Sequence, residues 1–176
     1  RIAGKRPELW DPESGSIREL PEYAENDGRI TVPFRFEPMQ SWFVVFRKSN
    51  HPAPQDAVAG HNFPSLSERA TVAGPWQVSF DPKWGGPDKP VAFAELTDWS
   101  KHTDPRIHYY SGTATYRTAF QCETQNPKSK IFLDLGAVEV MARVRLNGRD
   151  CGIAWKPPYR VEISGAARAG ENELEI

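Results

Sequence analysis

Three stretches of the sequence gather the side chains whose types could do chemistry. Asp81–Asp88 holds Trp84 between Lys83 and the pair Gly85-Gly86. Thr97–Ser111 holds Asp98, Trp99, His102, Asp104, Arg106, His108, Tyr109 and Tyr110. The third, Trp155–Tyr159, offers Trp155, Lys156 and Tyr159 around a Pro-Pro pair. Aromatic faces beside charged and amide groups suit a ligand with an apolar side and a polar rim. Asp88, Glu95, Asp98 and Asp104 are the loop carboxylates that could act as acid and base across a cleft. No spacing singles out a pair among them, so no catalytic residue is assigned. His102 and His108 with Asp98 and Asp104 could chelate a metal but lack close ligand spacing, so no metal ligand is assigned. No cofactor is expected. A structural calcium on backbone and Asp oxygens stays open, because carbonyl ligands leave no trace in a sequence. There is no Gly-rich phosphate loop and no Gly-x-Ser-x-Gly elbow.

These stretches need strands to hold them, and the pattern supplies strands. The spacing predicts a second series over Gly74–Phe80, Val91–Leu96, Gly112–Gln121, Lys130–Leu135, Val138–Leu146, Arg149–Ile153, Arg160–Ile163 and Asn172–Ile176. Asn147-Gly148 is the strongest two-residue hairpin signal in the chain. Along Val138–Leu146 the alternation places Val138, Val140, Ala142, Val144 and Leu146 on one face. One helical turn is expected at most, over Ala166–Ala169. Upstream, Pro7–Trp10, Ser16–Leu20, a hairpin through Glu25–Gly28, Arg29–Phe36 and Ser41–Arg47 read as a first series. The run Ser41–Arg47 is almost continuously apolar, which predicts a strand buried on both sides.

The resulting expectation is an all-β chain: an antiparallel β-sandwich or jelly roll over 74–176, preceded by part of a second small sandwich over 1–50. A linker over 51–73 joins them, read from His51–Pro54 and Asn62–Ser65. Composition agrees. The chain has 176 residues with 16 prolines, about twice the usual share, which argues against long helices. Its 22 basic and 23 acidic residues give a net charge of -1, so no field for nucleic acid or an anionic membrane is present. No apolar run reaches the length of a membrane span. Arg1 at the start and the strand-like alternation of Glu171–Ile176 predict a piece of a longer polypeptide. Cys122 and Cys151 match no zinc pattern and leave a disulfide or two buried thiols open.

The run Tyr109–Phe120 (YYSGTATYRTAF) resembles the sugar-binding, galactose-binding-like jelly roll of family 2-type glycoside hydrolases. The resemblance continues through Phe132–Gly136, Val144–Gly148, Trp155–Tyr159 and Gly170–Leu174, in the expected order. With Gly74–Pro82 and Pro7–Gly15 added, the chain is similar to the C-terminal part of family 106-type α-L-rhamnosidases. The resemblance implies a non-catalytic region of a secreted or periplasmic hydrolase, with the catalytic acids in a barrel domain elsewhere. The partners it implies are an oligo- or polysaccharide and the rest of the parent chain. Sugar contact then falls to Trp84, Asp98, Trp99, His102, Arg106, Tyr110, Trp155 and Tyr159, since rings stack on the C–H face of a sugar while polar groups take its hydroxyls. Two other readings stand beside it: an independent carbohydrate-binding module, and a purely structural sandwich. A Trp next to Gly-Gly or Pro-Pro is also an ordinary plug for the end of a sandwich.

Overall fold

The computed structural model describes residues 2, 4–47, 61–63, 65–123 and 130–176. The chain divides into two compact units, Arg1–Ser67 and Glu68–Ile176. Nearly all regular structure is antiparallel strand.

In the first unit, β1 (Glu8–Trp10) runs between β2 (Ile17–Glu19) and β5 (Phe43–Val45). A separate hairpin pairs β3 (Ala24–Asn26) with β4 (Arg29–Thr31). Its turn, Asp27-Gly28, takes φ of 51° and 68°, values that a Gly and a short polar residue tolerate. Leu9 and Leu20 are buried. Asn62, also buried, donates to the carbonyls of Glu22 and Pro33 and accepts from the Glu22 amide, so this part of the expected linker is tied into the unit. The segment around His51–Pro54 lies outside the described residues. Ser41–Arg47 departs from expectation: Phe43 is 62% exposed and Val44 36%. β5 is an edge strand with β1 as its one neighbour, and among the described residues nothing covers Phe43. Apolar content alone predicts burial on both sides, whereas the edge position in the sheet leaves one side open.

Among the described residues the second unit holds eight strands, at the eight expected places. A six-stranded sheet has the order β11-β10-β13-β8-β6-β7, and a two-stranded sheet pairs β12 with β9. The strands are β6 (Trp76–Phe80), β7 (Val91–Phe93), β8 (Ala114–Cys122), β9 (Phe132–Asp134), β10 (Ala142–Leu146), β11 (Arg149–Ala154), β12 (Arg160–Glu162) and β13 (Gly170–Glu175). Trp76, Val78, Phe80, Phe93, Val144, Leu146 and Leu174 from the large sheet meet Val161 of the small one and Ile163 just after it. This is a β-sandwich. Asn147 and Gly148 take φ of 52° and 78° and join β10 to β11 as the sequence predicts. The Asn147 side chain also reaches across, donating to the carbonyl of Ala166 and to Oδ1 of the buried Asn172. Asn172 in turn donates to the carbonyls of Arg168 and Gly170 and accepts from the Arg168 amide, so both amides are satisfied.

Two local readings are corrected. β10 starts at Ala142, because Val140 takes φ of 75° and breaks the strand before it; Val140 is exposed, not on the buried face. The helical turn expected over Ala166–Ala169 is replaced by a turn in which the amides of Ala166 and Ala167 both donate to Ile163 O. A helix absent from the expectation, α1 (Pro105–His108), forms instead. Cys122 and Cys151 are free thiols. β8 and β11 stand three strands apart, about 14 Å at ordinary strand spacing, too far for a disulfide.

Candidate functional site at one end of the sandwich

Register brings the three stretches to the same end of the large sheet. Arg117 of β8 and Arg145 of β10 both lie opposite Glu175 of β13, so they are level. Three residues back along each strand stand Ala114 and Ala142, level again, with Phe80 opposite Ala114 and Ala154 opposite Ala142. Beyond that row begin the loops: Asp81 after β6, Thr113 before β8, Met141 before β10 and Trp155 after β11. All three candidate stretches therefore open at one rim. β6 and β11 are four strands apart, about 19 Å.

Aspartates set the shape of the loops. Asp81, Asp98 and Asp104 each accept a hydrogen bond from the amide two residues on, and each caps a short turn: Pro82–Trp84, Trp99–Lys101 and α1. Asp98 also takes the Ser100 hydroxyl, and these bonds hold its carboxyl below the usual range. Asp104 is lowered by its hydrogen bonds from Arg106, side chain first and amide second. Arg106 is held more firmly charged by Asp104 and then by Asp88, which places the Asp81–Asp88 loop within electrostatic reach of α1. Asp98 and Asp104, two of the four carboxylates considered for acid–base work, are thus employed as caps. The signal for α1 was present as Asp104-Pro105, a capping residue followed by proline at the first helical position.

The aromatic residues divide. Trp99 turns inward and meets the Phe80 and Tyr110 rings edge-on, at 5.8 and 6.1 Å between centroids. Tyr110 is buried; its hydroxyl accepts from the Asp81 amide and donates to Thr113 O, tying two loops together. Gly86 is required beneath them, since a Cβ there would lie 2.6 Å from the Phe80 Cβ. His102 stacks on Phe93, and its Nδ1 accepts from the Asp104 amide. Tyr159 is half-buried against the core. Arg106 is exposed beside Asp104, and Asp98 is exposed on its own cap. Trp84 and Trp155 stand out in solvent. Among the described residues no group of three or more His, Cys, Asp or Glu side chains is arranged to hold a metal.

Residues 94–176 match the family described as glycosyl hydrolase 2 galactose-binding domain-like. This region is similar to the galactose-binding-like domain of family 2 glycoside hydrolases. A solved rhamnosidase from Novosphingobium sp. PP1Y is similar to 99% of the chain at 36% identity with a TM-score of 0.81, and the chain covers 16% of it. A protein provisionally named a beta-glucuronidase, from Formosa agariphila, is 40% identical over 114 residues, which is 64% of the chain and 10% of that protein. A β-glucuronidase from Ruminococcus gnavus shares the fold over 64% of the chain, with a TM-score of 0.52 at 22% identity, and the chain covers 22% of it. The chain thus spans a small part of each relative. The rim of the second unit carries the exposed Trp84 and Trp155 beside loops capped by Asp81, Asp98 and Asp104.

Proposed function

We propose that this chain is a non-catalytic region of an exported glycoside hydrolase that cleaves α-L-rhamnosides, and that the sandwich of its second unit contacts the glycan with Trp84. One observation carries the reading: Trp84 is 70% exposed on a turn fixed at both ends, among the exposed polar side chains Asp81, Lys83, Asp88 and Lys89. A ring held open beside hydrogen-bonding groups costs little ordering when a sugar stacks on it. Arg106, kept charged by Asp104 and Asp88, supplies donors for hydroxyls nearby. The likeness to the rhamnosidase along nearly the whole chain supports the substrate class. The small share of that protein covered here supports catalytic groups lying in other polypeptide. Location in the periplasm or outside the cell follows from a polymeric substrate that does not cross a membrane.

The test has two arms. The longer polypeptide carrying this chain should hydrolyse aryl α-L-rhamnosides while the 176-residue chain does not; activity in the chain alone would overturn the non-catalytic reading. Affinity electrophoresis in rhamnose-containing polysaccharide should retard the chain, and Trp84→Ala should abolish the retardation. No retardation of the unaltered chain would favour a purely structural sandwich.

A further inference from the structure

The first unit carries a cavity that plays no part at the rim of the second. It measures about 480 Å³ and is lined by Asn26, Asp27, Arg29 and Thr31 of the β3–β4 hairpin. The geometry of the hairpin brings these side chains together. Asp27 and Gly28 both take positive φ, which gives a two-residue turn and fixes the register, with Asn26 opposite Arg29 and Ala24 opposite Thr31. Ala24, Asn26, Arg29 and Thr31 then share one face of the ribbon, while Glu25 and Ile30 share the other. The second face is held to the unit: Ile30 is half-buried, and a carboxylate oxygen of Glu25 accepts from the Gly4 amide at 3.0 Å. The first face is open, and the short side chain of Ala24 leaves room beside Thr31.

Among the described residues none of the four lining side chains makes a hydrogen bond or an ion pair. Other arginines of the unit are engaged: Arg6, Arg35 and Arg47 pair with Glu19, Glu37 and Glu8, and Arg18 lies over Phe63. Arg29 offers donors only, Asp27 acceptors only, and Asn26 and Thr31 offer both. Neighbouring hydroxyls of a sugar, each a donor and an acceptor, match such a set. The guanidinium and the carboxylate cancel in charge, so an anion would meet Asp27 and a cation would meet Arg29. Small-molecule pockets are mostly apolar, whereas this lining is polar throughout, which suits an uncharged polyol. The fixed turn lowers the cost of ordering the lining on binding.

We infer that this cavity is a second glycan-contact site, in which Asn26, Asp27, Arg29 and Thr31 take an uncharged sugar residue through its neighbouring hydroxyls. The choice of a glycan over another polyol rests on the reading of the chain as part of a glycoside hydrolase. Nuclear magnetic resonance of the 176-residue chain and of its Arg29→Ala and Trp84→Ala variants tests it. The probes are methyl α-L-rhamnoside, a rhamnose-containing oligosaccharide and sodium sulfate. The Asp27 and Gly28 amides and the Arg29 Nε–H signal should shift saturably with either sugar. Arg29→Ala should weaken the response of the two amides about tenfold, while Trp84→Ala leaves it unchanged. Absence of a saturable shift would overturn the inference, as would an undiminished response in Arg29→Ala. A larger response to sulfate than to the sugars would also overturn it, by marking an anion site on Arg29. A response at the Trp84 indole with none at the hairpin rejects this site and leaves the reading of the rim standing. The converse rejects Trp84 as the contact and leaves the hairpin site standing.

Discussion

Trp99 and Trp84 lie on neighbouring loops at the same rim, each within one short turn of a capping aspartate. Trp99 is the first residue after its cap, Asp98, and its ring falls back on Phe80 and Tyr110. Trp84 is the third residue after Asp81, and the following Gly85 takes the left-handed conformation that ends the turn with the ring outside. Buried Gly86 and Pro87 then close the loop under it. Same residue type, same kind of turn, and opposite fates: the place in the turn decides which ring completes the core and which is left for a partner.

Substitutions can break that contrast. Trp99→Ala removes a half-buried ring with two aromatic contacts and should lower stability by about 2 kcal/mol, read from urea denaturation. A loss as small as that at an exposed site would mean Trp99 is free for ligand as well. Tyr110→Phe keeps the ring but leaves the Asp81 amide and Thr113 carbonyl without their partner, for a cost of about 1–2 kcal/mol. The same variant should speed amide hydrogen exchange at Asp81, because that bond closes the Trp84 loop.

A polar contact behind the same rim sharpens the comparison further. Arg160 donates to Asp134 at 2.8 Å, pinning β12 to β9, and this hydrogen bond holds the Asp134 carboxyl below its usual value. A lowered carboxyl favours the folded state above its unfolded pKa of ~3.9 and loses that contribution as the pH falls through the lower folded value. Asp134→Asn should therefore cost about 0.5 kcal/mol near neutral pH, the pair being largely exposed, and the melting temperatures should converge as the pH falls below about 4. Convergence on the alkaline side instead would reject this pin. Smallest of all is Trp84→Ala, which should leave the melting temperature unchanged, since its ring is in solvent.

Strands and hairpins of the second unit were legible because alternation and Asn147-Gly148 are local signals, and the cross-strand partners honour them. Placement of the loops at one rim was not, since it depends on four successive registers, from β6 to β8, β13, β10 and β11. The fates of Trp84, Trp99, Tyr110 and Trp155 were hidden for the same reason: burial depends on what stands opposite. Phe43 and Val140 misled in opposite ways. One is apolar in a strand but sits at an edge, and the other continues an alternation that its own backbone interrupts. Asp98 and Asp104 looked available for chemistry, although the residues after them already spelled out caps.

The most direct measurement is the affinity of the folded 176-residue chain for a rhamnose-containing oligosaccharide, before and after Trp84→Ala, by isothermal titration calorimetry. The account predicts measurable binding that weakens by about tenfold or more on substitution, equivalent to at least ~1.4 kcal/mol, with no change in melting temperature. Equal affinity in the two proteins would contradict it, and would leave Trp84 as an exposed ring without a partner sugar.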